Sequence, residues 1–157
     1  MRFGIFLILA AAVLLAESTA GLKWTAPAGW TSKGSAPMRA ATYTVQDAEC
    51  VVYFFGQGQG GSVDANIQRW SGQFTENGAP AQAKVAKRTV HALPVTTIDV
   101  TGAYSGMEGG SQTGVRMLAA IIENPAGNIF LKFTGPAKTI AANQQKFEQM
   151  LASFQKE

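Results

Sequence analysis

Cysteine and histidine each occur once in this chain of 157 residues, as Cys50 and His91. A lone cysteine excludes a disulfide-stapled scaffold, which needs paired thiols. A lone histidine excludes a His-rich metal centre and leaves a Ser-His-Asp hydrolase no spare imidazole. Charge is scarce as well, at 15% of residues with a net +3 and no block of like sign. Nucleic acid and other polyanions are therefore not expected partners. Hydrophobic residues make up 46%, too many for a disordered chain, and the length suits one domain.

The longest apolar run lies at the N-terminus. Arg2 provides a small positive start, Phe3 to Ala16 are apolar apart from Gly4, and Ser18 and Ala20 stand at the −3 and −1 positions of a secretory cleavage site. The run is 14 residues long, shorter than the ~20 that a spanning helix needs. Residues 1–20 are expected to be a signal peptide cleaved before Gly21, leaving no stable membrane span; retention as a tether is the alternative. No cysteine follows the run, which excludes lipid attachment at a processed N-terminal Cys. Cleavage removes Arg2 and Glu17 together and leaves the net charge unchanged.

Short strand-like runs and two amphipathic helices fill the rest. Leu22–Thr25, Met38–Val45 and Glu49–Phe55 read as strands, and Cys50–Phe55 is apolar on both parities, as in a strand covered on both faces. Ser62 is placed to cap a helix from Val63 to about Phe74, whose apolar face is Val63, Ile67, Trp70 and Phe74. Lys84–Ala92 and Val95–Tyr104 read as strands joined at Leu93-Pro94. The four-glycine stretch 105–114 reads as a mobile loop. Val115–Glu123 and Ile129–Thr134 form a further hairpin, and a last helix runs over 136–155. The order β-β-β-α-β-β-β-β-α predicts an α+β fold: a mostly antiparallel sheet of six to seven strands packed by two amphipathic helices, in a single domain over 22–155.

The opening Trp24, Pro27, Gly29 and Trp30, and the ending Phe130-Leu131-Lys132-Phe133-Thr134-Gly135 followed by a helix closing in Leu151-Ala152-Ser153-Phe154, resemble the PsbP-like fold. The segment Phe55-Gly56-x-Gly58-Gln59-Gly60-Gly61-Ser62-Val63-x-Ala65-Asn66-Ile67-x-Arg69-Trp70 is similar to a stretch of exported bacterial proteins of unknown function. The resemblance implies an α/β/α sandwich. It also implies a binding or assembly role rather than catalysis, as in the extrinsic photosystem II, Ran-binding and periplasmic proteins that share the fold. It transfers no metal-binding or partner-binding residue to this chain, and no cofactor is expected.

Several residues invite a chemical role. Gly56, Gly58, Gly60 and Gly61 sit between a strand and the start of a helix, where backbone N–H groups can cradle an anion. The stretch lacks the Gly-Lys-Ser/Thr of a P-loop and the register of a dinucleotide turn, so a structural connector is the expected reading. Cys50 would need a base to act as a nucleophile, and only His91 could serve; a buried core thiol is expected instead. Asp99, Glu108 and Glu123 have no metal-ligand spacing between them. Trp70 and Phe74 belong to the core face, whereas Trp30, beside Gly29 and Thr31-Ser32-Lys33, is expected to be partly exposed. If a contact face for a protein or small ligand exists, Trp30, Gly58, Gly60, Gly61, Ser62, Met107 and Glu108 are its candidates. The function expected is that of an exported, non-enzymatic binding or assembly domain with an unknown partner in the envelope or outside the cell. A small exported hydrolase using Cys50 or a carboxylate is the alternative.

Overall fold

Runs of branched and aromatic residues broken by Asn-Gly, His-Ala and Ala-Gly pairs give a chain made mostly of hairpins. The computed structural model describes residues 16–106 and 110–157. Twelve strands and two helices follow in the order β1 (Ala16–Thr19), β2 (Leu22–Thr25), β3 (Thr31–Ser32), β4 (Arg39–Val45), β5 (Ala48–Phe54), α1 (Val63–Ser71), β6 (Phe74–Glu76), β7 (Ala79–Pro80), β8 (Lys84–Val90), β9 (Leu93–Ser105), β10 (Ser111–Ile122), β11 (Ile129–Pro136), α2 (Ala137–Ala152) and β12 (Gln155–Lys156). Nine strands form one sheet in the order β3-β4-β5-β11-β10-β9-β6-β7, with β8 also on β9; β1, β2 and β12 form a second, small sheet. Every pairing is antiparallel.

The alternation of β10 shows how the layers arise. Met117, Ala119 and Ile121 face one way and join Trp70 of α1 and Phe130. Leu118, Ala120 and Ile122 face the other and join Ile140, Phe147, Met150 and Leu151 of α2, with Trp24 and Trp30. A strand with both parities buried lies between two covering layers, which is why its sequence is continuously apolar. The result is the α+β sandwich expected from the residues, with more strands than the six to seven anticipated. The additional ones are two to four residues long, too short to show a period.

Several boundaries differ from the sequence reading, each for a local reason. The first helix stops at Ser71 with Gly72 as its C-cap, so Phe74 reaches the same core from β6, opposite Tyr104, rather than from the helix. Asn77 and Gly78, at φ 51° and 78°, turn β6 back into β7, the two-residue hairpin that such a pair favours. The β8–β9 connection is His91-Ala92, at φ 45° and 65°, and Leu93-Pro94 lie inside β9. The stretch 105–114 is strand at Ser105 and again from Ser111, with an irregularity in register between Gln112 and Val115. The last helix begins after Pro136, which stands at its N-cap, and closes at Ala152.

The small sheet extends the fold beyond 22–155 at both ends. Strand β1 pairs with β2 through a turn at Ala20-Gly21; Asn124 Nδ2 donates to the Ala20 carbonyl at 3.0 Å, and the Glu157 N–H to the Gly21 carbonyl at 3.0 Å. A chain beginning at Gly21 lacks β1 and leaves β2 with β12 alone. It is expected to be less stable than a chain beginning at Ala16 by about 1–2 kcal/mol, from the lost ladder and cross-strand contacts. Equal urea midpoints for the two would show that β1 contributes nothing. Among the described residues no helix is long and apolar enough to cross a membrane; most of the expected signal peptide, residues 1–15, lies outside them.

Candidate functional site

Helix α1 is only nine residues long, so it covers part of its face of a nine-stranded sheet. The uncovered part is a groove of about 870 Å³. Val51 and Tyr53 of β5 and Lys132 and Thr134 of β11 line it, with Arg69, Trp70 and Gln73 from the end of α1 and beyond. Tyr104 of β9 and Ser111 and Gln112 of β10 border it, with Gly106 and Gly110 just beyond those strands, and Arg39 and Glu49 from β4 and β5. Its volume is in the range of small-molecule sites, and its lining mixes aromatic rings with a few charged groups, the usual composition of such sites.

Three cations meet in this groove. Lys132 Nζ lies 5.5 Å from the centre of the Trp70 ring, and Arg39 Cζ lies 5.6 Å from that of Tyr53. Arg39 also meets Glu49 at 3.4 Å, an exposed pair of small energetic weight. Arg69 donates to the side-chain oxygen of Asn66, whose own amide donates to the carbonyls of Gly60 and Ser62 at 2.8 and 2.9 Å. The Lys132 ammonium has no hydrogen bond and no carboxylate within salt-bridge range among the described residues. Burial lowers its pKa, and the charges of Arg69 and Arg39 lower it further. Burial is also the main reason that the Tyr53 and Tyr104 hydroxyls titrate above their ordinary value.

These shifts fix the sign of a pH effect. Tyr43, Tyr53 and Tyr104 are raised from 10.0 and Cys50 from 9.0, burial being the first cause in each. The unfolded chain therefore releases these protons before the folded one does. Stability contributed by the four groups is complete below about pH 9 and falls as pH rises beyond it. Lys132, lowered from 10.5, works the opposite way but alone. Thermal melts between about pH 8 and pH 11 are expected to show Tm falling above about pH 9; a flat profile would contradict the burial of these hydroxyls.

The residues singled out from the sequence are not gathered at the groove. Trp30, expected to be partly exposed, is 9% exposed and packs in the opposite core, against Phe133 at 4.8 Å between ring centres. Its Nε1 donates to Asn143 Oδ1 of α2 at 3.4 Å. A neighbouring polar stretch suggested exposure, but α2 supplies both cover and acceptor. Gly58, Gly60 and Gly61 have φ of 71°, 91° and 83°, and the bend carries the chain over the Phe55 and Phe130 rings. Asn66 Nδ2 ties it to α1 through the Gly60 carbonyl. Ser62 Oγ accepts from the Ala65 N–H as an N-cap and borders a smaller hollow with Asp64, Lys87, Arg88 and Glu123. Met107 and Glu108 lie outside the described residues.

The groups considered for catalysis are apart as well. Cys50 is buried on β5, and its thiol is pushed above its ordinary range. The His91 ring pairs through Nδ1 with the Phe154 carbonyl at 2.9 Å. Asp99 takes two hydrogen bonds from Arg116 at 2.9 Å. Among the described residues no three His, Cys, Asp or Glu side chains gather as metal ligands.

The sequence reading missed Arg39, Tyr53, Arg69, Tyr104 and Lys132. One signal was present. Lys132 interrupts Phe130-Leu131-Lys132-Phe133 in a central strand, where a cation is out of character unless its face opens to a site. The others come together only through pairings such as Arg39 with Tyr53 across β4 and β5, and Phe130 with Tyr53 across β11 and β5.

No protein-family model and no curated protein sequence matches the chain. Solved structures do. The solution structure of cyanobacterial PsbP (CyanoP) from Synechocystis sp. PCC 6803 aligns with a TM-score of 0.60 at 16% identity, over 98% of both chains. PA94 from Pseudomonas aeruginosa, a protein of unknown function, aligns with a TM-score of 0.52 at 9% identity, over 92% of this chain and 97% of its own. At such identities the likeness concerns the backbone: the chain has a PsbP-like fold.

Proposed function

We propose that this chain, whose fold is PsbP-like, is an exported, non-enzymatic binding domain that works through the groove beside α1. The observation that carries the reading is an aromatic, cationic concavity on a sheet face that its own helix leaves uncovered. The N-terminal run with its Ser18/Ala20 cleavage pattern supports export, and the sealed position of Cys50 supports binding over thiol chemistry.

Thr134→Trp fills the groove from its floor and provides the test. A small-molecule extract of the envelope or medium is expected to raise the Tm of the wild-type domain and leave Thr134→Trp unmoved. The retained compound is expected to be recovered chemically unchanged, from the wild type and from Cys50→Ser alike. Turnover of that compound, or an equal shift in Thr134→Trp, would sink the reading.

A further inference from the structure

Resting on the groove as the binding surface, we infer that its ligand is a small aromatic carboxylate, held by its anionic head at Lys132 and Arg69 with its ring against Tyr53 and Tyr104. Charge is the first argument. Among the described residues three cations line the groove against one carboxylate, Glu49, and that carboxylate already meets Arg39. The partner of Arg69 is a neutral amide, and the Lys132 ammonium has no polar partner among the described residues. A partly desolvated cation flanked by two guanidiniums is disfavoured until an anion joins it. A carboxylate reaching Lys132 offsets that repulsion and gains charge-assisted hydrogen bonds, for which the fork of Arg69 is also suited.

The body of the ligand follows from the walls. Tyr53 and Tyr104 are partly exposed and line the groove, and Tyr53 stacks on Phe55 at 5.7 Å between ring centres. Such rings favour a flat aromatic partner in offset or edge contact. A bare inorganic anion would leave these rings wet, and a neutral aromatic would leave the cations unpaired.

The probes are 1-naphthoate, its neutral counterpart 1-naphthalenemethanol, and inorganic phosphate, titrated against the isotope-labelled full domain by NMR. The expected result is that 1-naphthoate shifts the amides of Tyr104, Gln112 and Lys132, while the other two bind at least about tenfold more weakly. Lys132→Met is expected to lose about tenfold or more of the naphthoate affinity while melting no lower than wild type, since it removes a partly buried charge. Arg69→Gln gives a smaller loss and guards against a local rearrangement at position 132. Equal binding of the alcohol, or unchanged affinity in Lys132→Met, overturns the anionic head and leaves the groove a binding surface. Equal binding of phosphate overturns the aromatic body. No groove shift with any probe overturns the inference altogether, and the Thr134→Trp experiment then judges the groove by itself.

Discussion

Gly60→Ala is expected to destabilise the domain by about 2–4 kcal/mol, the sum of a left-handed backbone penalty and overpacking of an aromatic contact. Gly60 has φ +91°, and a Cβ there would lie 2.7 Å from Phe130 and 2.8 Å from Phe55. Both rings are hemmed in. Phe130 is fully buried and meets Trp70 edge-on at 6.2 Å; Phe55 stacks on Tyr53 and tilts against Phe130 at 5.5 Å. Neither ring can yield without displacing the groove wall, so the change disturbs Tyr53 as well as stability. Gly58→Ala is the control, because it shares the positive φ, at +71°, and has nothing within 4 Å. Its cost is expected to be about 1–2 kcal/mol, the backbone penalty alone. Urea denaturation of the two variants measures the difference. Equal losses would mean that the glycines serve only the bend, with no part in seating the aromatic wall.

Trp30→Ala is expected to cost about 3–5 kcal/mol, as for other large aromatic truncations in a core. The ring is covered by α2 and lies against Phe133 and Tyr43, at 4.8 and 6.5 Å between centres. Its N–H pairs with Asn143, itself 7% exposed, whose amide donates to the Thr139 carbonyl at 2.9 Å. Truncation therefore opens a cavity and leaves a buried amide oxygen without its donor. Trp30→Phe separates the two contributions: it keeps most of the volume and is expected to cost about 1–3 kcal/mol, chiefly the unsatisfied oxygen. A ligand-contact tryptophan behaves differently, weakening binding with little change in stability. Thermal or urea melts of Trp30→Ala decide the matter, and a loss below about 1 kcal/mol would return Trp30 to the surface.

Much of the fold was legible because local physics agreed with the packing. The doubly apolar run Cys50–Phe55, the strands expected over Val95–Tyr104 and Val115–Glu123 and the last helix each became the element that their residues implied. Errors fell where two local signals competed. Phe74 continued a helical spacing, but Gly72 ended the helix, and a strand brought the same ring to the same core. Pro94 looked like a joint, yet at the second position of β9 it pairs with Thr89, and His91-Ala92 make the turn.

The site was far less legible. Glycine loops, tryptophans and the lone thiol drew attention because they are conspicuous residue types, and each has a structural occupation: a bend over two rings, a core ring, a buried strand position. The groove consists of ordinary residues drawn from distant segments: Tyr53, Trp70, Tyr104 and Lys132 span 79 positions and are separated in turn by 17, 34 and 28. No spacing rule links a β4 arginine, an α1 arginine and a β11 lysine.

By itself the sequence determined the α+β class, the two helices and the scarcity of cysteine and histidine, since composition and period act over a few neighbouring residues. Only the tertiary structure decided how far α1 reaches across the sheet, which aromatic rings are sealed, and that Arg39, Arg69 and Lys132 share one concavity. Those are outcomes of strand order and register. A hairpin fold sets them through pairings between distant segments, and they leave no periodic trace in the chain.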